Sequence, residues 1–191
     1  MKKIILLILM ICSCFVTFPQ ELDFVREDMT FKIIDSNFYA EGIFFYRNEL
    51  DREVNKNIIK PFPIDPMYGF VDSVKVLNLK NNKLDNIVDE SQKGILFRVK
   101  AEPKEVVKYK ISYRHKLNNG KAEYVLISML AWGKPLKQAN YQLIVPENLK
   151  INSLSYKPDS SVIKNDKKYY YWHKENFVPD RNFVVFFEYE D

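Results

Sequence analysis

Few residues in this chain are equipped for chemistry. It has two histidines, His115 and His173, and two cysteines, Cys12 and Cys14. Both cysteines fall in an apolar stretch near the amino terminus. A thiol nucleophile, a disulfide framework and a cysteine zinc site are therefore excluded from the rest of the chain. Two histidines could hold zinc only with carboxylate help, and no spacing here supplies it, so neither metal nor cofactor is expected. His115 stands between Tyr113 and Leu117 on the apolar side of an alternating run and reads as a core or rim histidine. His173 lies near a strand end, where it could pair with Glu175, and reads as an exposed turn residue. The sequence has no G-x-S-x-G and no phosphate-cradling glycine motif. Ser160-Ser161, after Pro158-Asp159, reads as a loop. Adjacent carboxylates occur at Glu27-Asp28, Asp89-Glu90 and Glu190-Asp191. Glycosidase chemistry needs two carboxylates facing each other across a cleft, so each pair reads instead as a solvated turn. Asn165-Asp166 and Asp180-Asn182 offer too few oxygens for a calcium loop and also read as turns. Catalysis is not expected; a hydrolase would require two such groups, or His115 and His173, to converge in one pocket.

The aromatic run Tyr169-Tyr170-Tyr171-Trp172 is the candidate binding feature. In a strand, Tyr169 and Tyr171 face one way and Tyr170 and Trp172 the other. One pair joins the core. The other is available to stack on sugar rings or meet a protein partner, because amphipathic aromatics suit wet interfaces. The alternative is a central strand with both faces covered. Trp132-Gly133-Lys134-Pro135 ends a strand, and Trp132 there plugs the end of a sandwich. Lys167-Lys168 and the lysine-rich face of 108–116 read as solvated strand edges.

The elements that must position these residues are strands. Val107, Tyr109, Ile111, Tyr113, His115 and Leu117 alternate with Lys108, Lys110, Ser112, Arg114 and Lys116. Asn118-Asn119-Gly120 then predicts a hairpin turn, with a return strand from Lys121 to Ala131 that is apolar on both sides and so central. Further strands are predicted over 29–34, 37–47 with a bulge at Gly42, 53–62, 71–79, 95–101, 139–145, 151–156, 168–172 and 183–189. The stretch 84–92 offers one helical turn at most. Short strands with frequent turn signals predict an all-β, antiparallel two-sheet sandwich of about nine to eleven strands.

Met1-Lys2-Lys3 followed by an apolar stretch to Phe18 has the form of a bacterial secretory signal. The stretch is shorter than the ~20 residues a spanning helix needs. We read 1–19 as a signal peptide and 20–191 as one domain. Two processing routes stay open. Ile11-Cys12-Ser13-Cys14 resembles a lipobox, which would make Cys14 the lipidated first residue, and the rival is ordinary cleavage near Thr17 or Gln20. With Lys2 and Lys3 set aside, 27 cationic residues face 25 acidic ones, a balance of +2. So small a charge excludes an electrostatically driven nucleic-acid binder. A membrane contact is expected only through the lipid.

Three segments carry a resemblance. Tyr46-Arg47-Asn48 leads into Pro61-Phe62-Pro63. Trp132-Gly133-Lys134-Pro135 leads into Ala139-Asn140-Tyr141-Gln142-Leu143-Ile144-Val145-Pro146. Tyr170-Tyr171-Trp172 leads into Asn176-Phe177-Val178-Pro179-Asp180. In that order the chain resembles exported bacterial β-sandwich proteins of unknown function. The resemblance implies an immunoglobulin-like sandwich and carries over no catalytic residue. The expectation is an exported, non-catalytic binding or structural module of the cell envelope, in the periplasm, on the outer membrane or at the cell surface. Its partner is an envelope protein or a glycan. The alternative is a carbohydrate-binding module using the tyrosines and tryptophan of 169–172.

Overall fold

Apolar–polar alternation turns nearly the whole chain into strands. The structure is a computed structural model that describes residues 21–64, 68–84 and 87–189. Cys12, Cys14, the expected processing sites and Glu190-Asp191 lie outside the described residues. Fourteen strands follow one another: β1 (Leu22–Ile34), β2 (Asn37–Asn48), β3 (Val54–Pro61), β4 (Tyr68–Asn78), β5 (Lys83–Leu84), β6 (Ile87–Ser91), β7 (Gly94–Ala101), β8 (Val106–Leu117), β9 (Lys121–Tyr124), β10 (Leu136–Pro146), β11 (Leu149–Leu154), β12 (Ser160–Ile163), β13 (Lys167–Phe177) and β14 (Phe183–Tyr189). They form an eight-stranded sheet, in the order β12-β13-β10-β1-β2-β8-β4-β5, and two three-stranded sheets, β11-β14-β9 and β3-β7-β6.

Both small sheets pack on one face of the large one. Phe31 of β1 meets Phe183 of β14 at 4.8 Å and Tyr124 of β9 at 5.0 Å between ring centroids. Phe97 of β7 lies 6.0 Å from Tyr109 of β8. The inward residues of β8, including His115, are buried, and its lysines point away. Large aromatic side chains let short strands bury enough apolar area to hold the layers together.

The all-β expectation holds, but the architecture is not the expected immunoglobulin-like, antiparallel two-sheet sandwich. Among the described residues there are three sheets and fourteen strands, and β1 pairs with β10 in parallel from Arg26↔Gln138 to Lys32↔Ile144. Parallel neighbours are joined by distant chain, so local patterning gives no sign of them. The extra strands are short. β12 contains the serines read as a loop, and β5 and β6 occupy the stretch read as one helical turn.

The Asn118-Asn119-Gly120 turn does not close a hairpin. It carries the chain from the large sheet to a small one, where β9 pairs with β14. Gly120 is required by close approach, since a Cβ there would lie 2.0 Å from the Phe187 carbonyl oxygen. The return strand stops at Tyr124 and is an edge strand, not a central one. Asn182 Oδ1 accepts the backbone N–H groups of Leu126 (3.1 Å) and Ile127 (3.2 Å), and the chain tightens into a 3-10 helix, Ile127–Trp132. Its two-sided apolarity is thereby divided. Leu126 and Met129 enter the core, and Ile127 and Leu130 face solvent. Gly42 makes no bulge: it pairs in regular register with Met29 and Ile111, and a Cβ would meet Met29 Sδ at 1.9 Å and the Asp28 carbonyl oxygen at 2.8 Å. The lysine face of β8 is not an edge either, because β8 lies between β2 and β4.

Candidate functional site

Among the described residues no element covers the other face of the large sheet. Strand register arranges its side chains in transverse rows. One row runs Tyr171, Gln142, Thr30, Glu41, Ser112 and Lys75 across β13, β10, β1, β2, β8 and β4. On one side of it lie His173, Asn140, Asp28, Ile43 and Lys110. On its other side lie Tyr169, Ile144, Lys32, Tyr39, Arg114 and Asp72.

A depression of about 550 Å³ opens over the first two rows, between Tyr171 and His173 at one end and Glu41 at the other. Its polar groups hold one another. Arg26 Nε donates to both oxygens of Asp28 at 3.0 Å. Asn140 Nδ2 donates to Asp28 Oδ1 at 2.6 Å, which turns Asn140 Oδ1 toward His173 Nδ1 at 2.7 Å. This network assigns the neutral histidine's proton to Nδ1. Nε2 faces Glu175 Oε1 at 3.5 Å. Asp159 Oδ2 accepts the backbone N–H of His173 at 2.6 Å, and Lys174 Nζ donates to Oδ1 at 3.0 Å. These two donors hold the Asp159 carboxyl below the ordinary carboxylate range. Fixed donors and acceptors beside a tyrosine ring form a surface suited to a ligand rich in hydroxyl groups.

Glu27 and Asp28 are not a solvated turn. They sit in mid-strand and point to opposite sides of β1. Glu27 is 1% exposed in the core. Its Oε1 accepts the Tyr124 hydroxyl, and its Oε2 accepts the Tyr141 hydroxyl at 3.0 Å. Lys60 is buried with it, its Nζ 3.8 Å from the Tyr124 ring centroid and 3.2 Å from the Val125 carbonyl oxygen. Burial raises the Glu27 pKa, opposed by the lysine; burial lowers Lys60 to about 8, opposed by the glutamate.

The aromatic run divides as a strand requires. Tyr169 and Tyr171 stand half-buried on the open face. Trp172 is 2% exposed, donates Nε1–H to the Tyr156 carbonyl oxygen at 3.1 Å and meets Phe183 edge-on at 5.1 Å. Tyr170 packs beside it at 6.5 Å. The run thus offers two rings to the open face, not four. Asp28, Asn140 and Asp159, which no motif marks, join His173 because β1, β10 and the start of β12 flank β13 or its neighbour. The one signal for Asp28 was the polar side of the Met29–Ile34 alternation, extended backward by one step. Among the described residues no three His, Cys, Asp or Glu side chains converge as metal ligands would.

Together these features define an all-β sandwich with one open sheet face that carries a fixed set of polar side chains. No protein family and no curated protein matches the sequence. Solved structures do match the fold. A protein from Legionella pneumophila, described as a candidate nutrient-binding protein, superposes with a TM-score of 0.68 at 14% identity, over 87% of this chain and 67% of that one. An M1 zinc metallopeptidase from Deinococcus radiodurans gives 0.53 at 10% identity, over 87% of this chain and 42% of that one. A variant of that enzyme bound to the peptide Tyr-Ser-Ala gives 0.52 at 10% identity, over 87% and 43%. Identities this low show a shared fold alone. The chain spans about two thirds of the first protein and less than half of the peptidase.

Proposed function

We propose that this chain is an exported, non-catalytic binding module of the cell envelope that takes an extended polar ligand on the open face of its large sheet. The observation that carries this reading is the Arg26–Asp28–Asn140–His173 hydrogen-bond chain, which holds polar side chains in place on an uncovered sheet beside Tyr171. The fold shared with a candidate nutrient-binding protein is compatible with a binding role. A glycan suits the face better than an envelope protein. Hydrogen-bonding side chains of Asp28, Asn140, Gln142, Asp159 and His173 line the depression beside the Tyr171 ring, the pairing of fixed polar groups with an aromatic face that a sugar ring uses. Export rests on the Met1–Phe18 pattern and on the resemblance to exported β-sandwich proteins.

The test is titration of the protein, isotope-labelled, with defined oligosaccharides, followed by amide shifts. Shifts confined to β13, β10 and β1, with affinity reduced about tenfold or more by Tyr171→Ala or His173→Ala, are expected. Shifts centred on the small sheets, or affinity indifferent to both substitutions, would overturn the reading. Mass spectrometry of the amino terminus of the protein recovered from its host addresses export. It should find a lipidated Cys14 or a terminus near Thr17 or Gln20, and retention of Met1 would count against export.

A further inference from the structure

The open face continues past Glu41 into a second depression of about 400 Å³, which shares Thr30 and Glu41 with the first. Its charged lining is mostly basic. Lys32 enters from β1, Arg114 from β8 and Lys75 from β4. The two carboxylates nearby are taken: Glu41 by Lys110 at 3.0 Å, and Asp72 by two nitrogens of Arg114 at 2.7 and 2.6 Å. Among the described residues, Lys32 and Lys75 have no acidic partner. Arg114 spends Nε and Nη2 on Asp72 and keeps further N–H donors. Thr30, Tyr39, Ser73 and Ser112 line the same depression, with Tyr39 hydrogen-bonded to Arg114 and Ser73 to Asp72.

Lys75 reaches this face through a distortion. Asp72 pairs with Arg114 and Lys75 with Ser112, so three steps on β4 match two on β8. In regular alternation, residues three apart point to opposite faces. The inserted residue, with Ser73 held at φ 55°, brings both onto the open one. A serine held in the left-handed region is a costly conformation that persists where surrounding structure or function demands it. β1 and β4 are three strand spacings apart, about 14 Å. Lysine side chains on these two strands are long enough to reach one small oxyanion bound between them.

We propose that the second depression binds an oxyanion carried on the ligand, so that the ligand is an acidic oligosaccharide. Its sugar rings lie against Tyr171 and the Asp28–Asn140–His173 chain. Its carboxylate, sulfate or phosphate lies between Lys32 and Lys75. This inference rests on the binding role proposed above and adds the charge of the ligand.

An array of matched acidic and neutral oligosaccharides, probed with the folded protein, tests it. Binding is expected to be confined to acidic members, to weaken with added salt, and to drop about tenfold or more in Lys32→Ala/Lys75→Ala. Lys32→Arg/Lys75→Arg should restore it. Lys56→Ala/Lys93→Ala, on the small-sheet side, carries the same charge change and should leave it intact. Comparing uronate, sulfated and phosphorylated members identifies which oxyanion is read, and inorganic phosphate as competitor shows whether the anion suffices alone. Equal binding of neutral members, lost in Tyr171→Ala, would overturn the acidic ligand and keep the binding role. No binding to any member would overturn both.

Discussion

Glu27 and Asp28 are neighbours in sequence and opposites in environment. Glu27 points inward, where its carboxylate accepts two tyrosine hydroxyls and lies near the buried Lys60 ammonium. Asp28 points outward, into a part-exposed chain with Arg26, Asn140 and His173. The same functional group therefore has two roles. Inside, an ionisable group is tolerated because each carboxylate oxygen accepts a tyrosine hydroxyl and a buried ammonium lies nearby. Outside, the carboxylate contributes little to stability because water competes for it. What it supplies is a fixed orientation for an amide and an imidazole on the open face.

The largest difference between the two should appear on deletion. Glu27→Ala leaves the Tyr124 and Tyr141 hydroxyls buried without their acceptor and the Lys60 ammonium buried without its counter-charge, and should cost about 3–5 kcal/mol in urea unfolding. Equal losses for Glu27→Ala and Asp28→Ala would break the comparison.

Next comes pH. Lys60 titrates at about 8 in the folded chain, below its ordinary value. Between the ordinary lysine range and about 8 the unfolded chain binds the extra proton. The Lys60 contribution to stability is thus fullest above that range, is lost as pH falls to about 8, and is flat below. Glu27, raised by burial, acts in the opposite sense: its contribution is present at low pH and lost as pH rises through its elevated value. Lys60→Met should remove the alkaline slope from the urea midpoint; an unchanged slope would show that Lys60 is not buried as described.

A smaller effect sharpens the same contrast at Gly42. Alanine there must displace the Met29 thioether and press on the Asp28 backbone, with an expected loss of about 1–3 kcal/mol by thermal unfolding. The smallest change belongs to the open face. Asp28→Ala and Asn140→Ala should each shift stability by roughly 1 kcal/mol or less. Both should weaken ligand binding more than that figure accounts for, because His173 loses its fixed ring orientation. A calorimetric titration beside a denaturation curve separates the two quantities.

The sequence alone determined that this chain is built of strands, and it marked many of the residues that face inward. Period-two alternation in β8 sends His115 to the core and the lysines outward, and the same rule splits the 169–172 run into an inner and an outer pair. That much is local, since a strand's sidedness depends only on the residue two places along. Tertiary structure decided the rest. Asp28, Asn140 and His173 come together because β1 lies parallel to β10, a pairing made across more than a hundred residues of chain, and β10 antiparallel to β13. A bulge at Ser73 reverses the side on which Lys75 appears, and Gly42 and Gly120 serve close approaches that only the assembled layers create. Adjacent carboxylates looked alike in the chain because sequence records neighbours along the backbone. Their opposite fates follow from which sheet face was covered, a matter settled by packing between layers.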